Sequence, residues 1–379
     1  MNFELSQDHK VLRDAVRDFV EKEIKPIAMQ IDEEHAIPNE LVAKMGEMGF
    51  LGSYLPEEYG GAGLDMLSYA IVVEEVSKAC ASSGVLISAH TSLCSGPIYT
   101  FGTEAQKQQW LPALNSGEKI GCFLLTEANA GSDAGGTATM YQREGDEFVI
   151  NGGKIFITNG GYLGTGVLLA SHDRSLKHKG VSAFIVDLSS PGVTILKNEN
   201  KMGIRGSYTT AFAFDNLRIP VENLLGQEGK GFNVAMDTLN GGRIGIASQA
   251  LGIAEGAFER ALAYSKERKQ FDQAICEFQA IQFKLADMFT RIETSKLMTY
   301  KAACLKDAKQ SYTMESAMCK MLASEAATYV TKEAMQIFGG YGFIVDYEIE
   351  RMYRDAKITE IYEGTNEIQR LVISKLLIS

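Results

Sequence analysis

From Ser6 to about Ser116, apolar residues return every three or four positions, as in Leu12, Val16, Phe19, Val20 and Ile24. That spacing puts them on one face of α-helices, and Pro38, Pro56 and the stretch YGGAGLD cut the region into several segments. Residues 85–101, VLISAHTSLCSGPIYTF, are nearly all apolar or small, which predicts a deeply buried segment able to line a pocket. After SGEKIG the period changes. Short runs rich in β-branched and aromatic residues (EFVI, KIFIT, GVLLA, VSAFIV, TTAFAF) alternate with turn pairs such as Asn151-Gly152 and Pro191-Gly192. No helical pattern intervenes, so an antiparallel barrel or sandwich is expected. From Phe232 onward helical spacing resumes. Ile281, Leu285, Met288, Phe289 and Ile292 mark one long face, and Met318, Leu322, Tyr329 and Val330 another. The expected class is α+β multidomain: a helical bundle over 1–118, a β-domain over 119–227 and a helical domain over 228–379.

The helix expected near Asn233 carries Gly241, Gly242, Gly245, Gly252 and Gly256. Each glycine weakens a helix unless close packing offsets the loss, so a crowded helix contact or a ligand lying against this helix is expected.

Composition narrows the function. The chain has 379 residues, 45% of them hydrophobic, and a formal net charge of -11, which disfavours a duplex nucleic-acid binder. Six cysteines (Cys80, Cys94, Cys122, Cys276, Cys304, Cys319) stand singly, without C-x-x-C pairs or histidines at metal spacing. Reduced thiols in a cytoplasmic protein, with no metal site, are expected. The N-terminus lacks an apolar signal core and no long uncharged apolar run occurs, so neither export nor membrane insertion is indicated. There is no G-x-G-x-x-G after a strand, Walker A sequence, G-x-S-x-G elbow or H-E-x-x-H. Of five histidines only His90 has an apolar setting, which suits a pocket-wall residue.

Polar islands in apolar surroundings remain. LLTEANAGSDAGG offers the hydroxyls of Thr126 and Ser132, and KIFITNGG places Phe156 and Thr158 at a strand end. Both also read as ordinary hairpin connections. ERKQF puts Arg268, Lys269 and Phe271 at a helix C-terminus, where the dipole favours cations anyway, with Gln279 opening the next helix. MQIFGGYGF stops a helix at paired glycines. In ITEIYEGTNEIQR, Glu363 stands on a loop tip beside Gly364, and Thr365 or Asn366 can cap the following helix with Glu367 in its first turn. By itself that stretch is either a capped helix start or a placed carboxylate.

Together the motifs LLTEANAGSDAGG, KIFITNGG, LNGGRIGIASQALG, ERKQF, QIFGGYGF and RDAKITEIYEGTNEIQR resemble the acyl-CoA dehydrogenase family over essentially the whole chain, and most closely its short-chain members. The resemblance implies a helical, β and four-helix domain order, FAD held non-covalently, and a homotetramer. It makes Glu363 the base that removes the α-proton of an acyl thioester while hydride leaves the β-carbon for the flavin. It places Phe123, Leu125, Thr126, Phe156 and Thr158 around the flavin ring. Arg268, Phe271, Gln279, Gln336, Gly339 and Gly340 then hold the ADP half across a subunit interface, with Thr365 and Glu367 approaching it. For CoA it implies Ser132, Phe232, Met236, Asn240, Arg243 and Gly364. Family members commonly have Asp at the position of Asn240. Gly242 occupies the position where isovaleryl-type and long-chain members carry their base, which leaves Glu363.

Glutaryl-type members bind a distal carboxylate with an arginine in the segment starting near Ser82. Here no Lys or Arg lies between Lys78 and Lys107, so a short straight, branched or alicyclic acyl group is expected. The family resemblance also implies electron-transferring flavoprotein as partner. The alternatives are the reverse enoyl-CoA reduction, an acyl-CoA oxidase, and a non-catalytic flavin or acyl-CoA binder.

Overall fold

The computed structural model describes residues 4–378. Helices occupy the region up to Asn115, strands run from Gly121 to Leu225, and helices return from Gly231. In the middle region β1 (Gly121–Leu124), β2 (Met140–Glu144), β3 (Glu147–Thr158), β4 (Thr165–Ser171), β5 (Val181–Asp187), β6 (Val193–Asn198), β7 (Thr209–Pro220) and β8 (Leu224–Leu225) form one eight-stranded sheet. Its order is β6-β7-β3-β2-β4-β5-β8, with β1 added on β4.

Two details differ from the sequence expectation. The sheet is mixed rather than purely antiparallel: β1 runs parallel to β4, and Met140 of β2 bridges Ser171 of β4 in parallel. EFVI and KIFIT are also not two strands joined by an Asn151-Gly152 turn. They form the single strand β3, which shifts register against β7 between Ile150 and Gly152. Gly152, at φ +146, lets the strand pass the backbone of Thr139, whose Cα would lie 2.7 Å from an added Cβ. An Asn-Gly pair signals turn and bulge alike, and the partner strand decides between them.

The two helical regions are far apart in sequence yet share one hydrophobic core, from Val16 and Val76 through Ile244 and Ala327 to Met352. Its axis is the helix Gly231–Glu267, whose glycines let neighbours approach. Added Cβ atoms at Gly252 and Gly256 would strike the carbonyls of Glu74 and Lys78 on the helix Met66–Ala79. After Gln279–Asp307 and Thr313–Phe338, the expected fourth helix is two short ones, Ile349–Ile358 and Asn366–Ile378. No described helix is long and apolar enough to cross a membrane.

Candidate active site

The loop between the last two helices carries Glu363 at φ +54 followed by Gly364 at φ +85. Two successive left-handed residues turn the chain sharply, and the first is held there at a cost because it has a Cβ. Side chains fix the turn. Gln369 donates from Nε2 to the carbonyls of Glu363 (3.1 Å) and Gly364 (2.8 Å). Thr365 Oγ1 caps the last helix by accepting from the Ile368 N–H at 3.3 Å. Tyr362 donates its hydroxyl to Gln249 Oε1, and Gln249 Nε2 is anchored on the Ala81 carbonyl at 2.9 Å.

The turn aims the Glu363 carboxylate inward, against the long helix. A methyl added at Gly242 would lie 2.8 Å from Glu363 Oε2 and 2.7 Å from Leu93 Cδ2, so the missing side chain makes the space that the carboxylate fills. Oε2 is shielded from solvent and has no hydrogen-bond partner. Burial pushes the Glu363 carboxyl up to about 7, opposed by the charges of Arg243 and Lys320. The Glu363 N–H also donates no hydrogen bond among the described residues.

Leu93 belongs to the buried segment Ala89–Ser95, which joins this carboxylate to the sheet. On its other side, His90 Nδ1 accepts from the N–H of Gly121 at 2.8 Å, and Cys94 Sγ contacts the Thr165 carbonyl at 3.5 Å. Burial holds His90 down to about 4, so it is a neutral wall residue. Just beyond Gly121 come Phe123, Leu125 and Thr126. The Thr126 carbonyl accepts from the Ile155 N–H at 2.9 Å, which ties Thr126 to the strand that carries Phe156 and Thr158. Asn159 Nδ2 ties this strand end to the carbonyls of Leu86 and Gly121, both at 3.1 Å. Phe156, at φ +57, is turned outward and is 58% exposed.

Three domain models of one family cover the chain: the acyl-CoA dehydrogenase N-terminal domain at residues 6–118, the middle domain at 122–217 and the C-terminal domain at 229–378. The chain belongs to the acyl-CoA dehydrogenase family. It is 54% identical, over 99% of both chains, to a short-chain specific acyl-CoA dehydrogenase of Clostridium acetobutylicum. It is 53% identical to the mitochondrial short-chain enzyme of Bos taurus, over 98% of this chain and 90% of that one. Butyryl-CoA dehydrogenase of Megasphaera elsdenii matches with a TM-score of 0.98 at 46% identity, with both chains fully covered. The protein is thus an acyl-CoA dehydrogenase of the short-chain kind, an oxidoreductase with FAD as cofactor.

The residues present fit a flavin. Phe156 offers an exposed aromatic face on the strand that ends at Thr158, and Thr126 is bonded to that strand through Ile155. Just past the far end of the long helix lies a second, open surface. Phe271 is 89% exposed, and an added Cβ at Gly339 or Gly340 would meet nothing. Arg268 forms no ion pair among the described residues and lies over the Tyr341 ring at 5.4 Å. Exposed Gln279 and Gln336 flank these residues in sequence and are on the surface as well. Thr365 and Glu367 lie elsewhere, on a cavity of about 280 Å³ shared with Glu360 and Arg370. On the long helix Phe232, Met236 and Asn240 are half-buried and Arg243 is buried, its Nη1 donating to Asn240 Oδ1 at 2.7 Å; Ser132 is exposed.

Several supporting residues were not found from sequence. Lys154, fully buried, donates to the Leu125 carbonyl (3.0 Å) and to Glu127 (2.6 Å). Glu127 also accepts from the N–H groups of Ala138 and Thr139, which closes the LLTEANAGSDAGG excursion onto the sheet. Gln249, Lys320 and Gln369 likewise hold the Glu363 loop. Their signal is a polar side chain in an otherwise apolar helical run, as with Lys320 in AMCKMLA.

Proposed function

We propose that this protein oxidises a short straight, branched or alicyclic acyl-CoA to the 2,3-enoyl-CoA, with Glu363 as the base. The observation that carries this reading is the Glu363 carboxylate oxygen, shielded from water, without a partner, and pressed into the gap at Gly242. Bound FAD supplies the acceptor for the hydride that leaves the β-carbon. The chain's own residues do the rest. Glu363 takes the α-proton, and its affinity for protons near neutrality makes it a stronger base than an exposed carboxylate while leaving part of it ionised at working pH. Its unengaged N–H donates to the thioester oxygen, where charge grows as the proton leaves. Ser132, Phe232, Met236, Asn240, Arg243 and Gly364 take the CoA chain. Asn240 is already the acceptor of Arg243, so the position orients the guanidinium without adding charge.

The flavin site draws on two subunits in this reading. Gly242 and the helix end at Glu267 are separated by about 38 Å at 1.5 Å per residue. The Arg268 surface is therefore beyond the reach of a flavin beside Glu363 of the same chain, which supports an assembly that brings a partner's Arg268, Phe271, Gln279, Gln336, Gly339 and Gly340 to each site. Electron-transferring flavoprotein as acceptor is supported by the match, at TM-score 0.98, to a chain solved in work on the electron transferring flavoprotein of Acidaminococcus fermentans. The test is anaerobic flavin bleaching against straight, branched and ring acyl-CoAs of four to eight carbons. Bleaching by the short members and failure with a dicarboxylic ester is the expected result; no bleaching by any member would refute the dehydrogenase reading.

A further inference from the structure

Lys320, on the helix Thr313–Phe338, is wholly buried and pairs with no carboxylate among the described residues. Its ammonium donates to one neutral acceptor, Asn366 Oδ1, at 3.1 Å, and Ser324 Oγ lies 3.0 Å from that oxygen and 3.0 Å from the Met321 carbonyl, with one proton to share between them. Asn366 in turn donates its N–H to the Glu360 carbonyl at 3.0 Å, so this amide closes the loop from Glu360 to Asn366 with Glu363 at its middle. A lysine that merely tied down a helix start would not require a charge, because a neutral donor would serve Asn366 Oδ1 as well. A buried unpaired cation is costly, which asks for a second role. Glu363 stands in the middle of the loop that this lysine closes, and the lysine's charge acts on its carboxyl against burial.

We propose that Lys320 is a positioning residue for the base: it pins the Glu363 loop through Asn366 and sets a positive charge behind the Glu363 carboxylate. The inference rests on Glu363 being the base. The groups facing Glu363 are Arg243 on the long helix, Lys320 on Thr313–Phe338, Tyr69 on Met66–Ala79 and the adjoining Tyr362. Those facing Lys320 are Glu363, Glu360, Arg243 and Glu367. Of these, Arg243 has a bond to Asn240 and a place in the CoA site, whereas Lys320 has no other ionic partner. Its charge favours the ionised base, counteracting burial. Burial also lowers the lysine itself to about 8, so this support fades as pH rises above neutrality.

The experiment compares the FAD-loaded parent with Lys320→Met, Lys320→Gln and Lys320→Arg. Stopped-flow bleaching by butyryl-CoA is followed from pH 5.5 to 9.5, and the protonated-carboxyl infrared band of Glu363, assigned by its loss in Glu363→Gln, is titrated in parallel. Lys320→Met and Lys320→Gln should bleach about fivefold more slowly at pH 7, the loss of ionised base expected when its proton affinity, near neutrality in the parent, rises by about one unit. Both should recover at higher pH and show the carboxyl band persisting to higher pH, with KM little changed, while Lys320→Arg follows the parent. Lys320→Gln can still donate to Asn366, so it reads the charge if Lys320→Met fails to fold. Profiles and band titrations that superimpose on the parent's overturn the inference, as does slowing by one factor at every pH. If Glu363→Gln itself bleached at the parental rate, the base assignment would fail instead, and the two failures are separate readings.

Discussion

Glu363 combines a left-handed backbone, a buried carboxylate oxygen and an unengaged N–H in one residue. Each is unfavourable for folding, and their coincidence marks a site where the surrounding structure maintains strain for chemistry. The raised carboxyl gives a sign for stability. Between the ordinary carboxylate value of 4.5 and about 7 the folded protein keeps a proton that the unfolded chain has lost, so stability falls as pH rises through that window and stays lower above it. The cost is on the order of 3 kcal/mol for a shift of this size. Glu363→Gln removes it. The Tm gain of that variant over the parent should therefore be small at pH 4.5 and larger at pH 8; an equal gain at both would show that Glu363 is not held protonated by burial. The choice of a carboxylate at this position was legible from its motif. Its burial was not, because the shielding comes from Leu93 and the long helix, far away in the chain.

At the level of elements, the site is a junction of a turn, a helix and a strand end. The helix contributes by omission: Gly242 is where a Cβ would collide with both Leu93 and the base. Gly242→Ala should leave the helix intact, since alanine is favoured over glycine by about 1 kcal/mol, yet reduce bleaching at least tenfold by displacing the carboxylate. Normal bleaching with an unchanged Tm would refute the packing described for the base. Helical and strand periods gave the element types over most of the chain, and the glycine run announced a crowded helix. What periodicity could not supply was register and partnership. The β3 bulge at Gly152 depends on β7 and Thr139, and Lys154 and Lys320 bond partners 27 and 46 residues away. Such residues look like misplaced charges until the fold brings their acceptors to them.

Across the whole molecule, Glu363 packs at Gly242 on the longest helix, and the Arg268 surface proposed for the ADP half lies just past that helix's far end. If a site takes each from a different subunit, Glu363→Gln and Arg268→Ala should complement. Each homomeric variant is expected to be inactive or to lose FAD on gel filtration, whereas co-expressed mixtures should recover part of the parental activity because some sites contain both intact residues. No recovery in verified hybrids would place both groups in one chain's site. The α, β, α order follows from local pattern; the proposed division of the site between copies, which the family resemblance implies, is supported by the length of helix between the two groups.

The central claim is that the Glu363 carboxylate removes the α-proton. Its most direct test is the anaerobic reaction of Glu363→Gln with butyryl-CoA, after confirming that the variant holds parental FAD and still binds the thioester. The account predicts an intact yellow flavin that is not bleached; bleaching at the parental rate would contradict it.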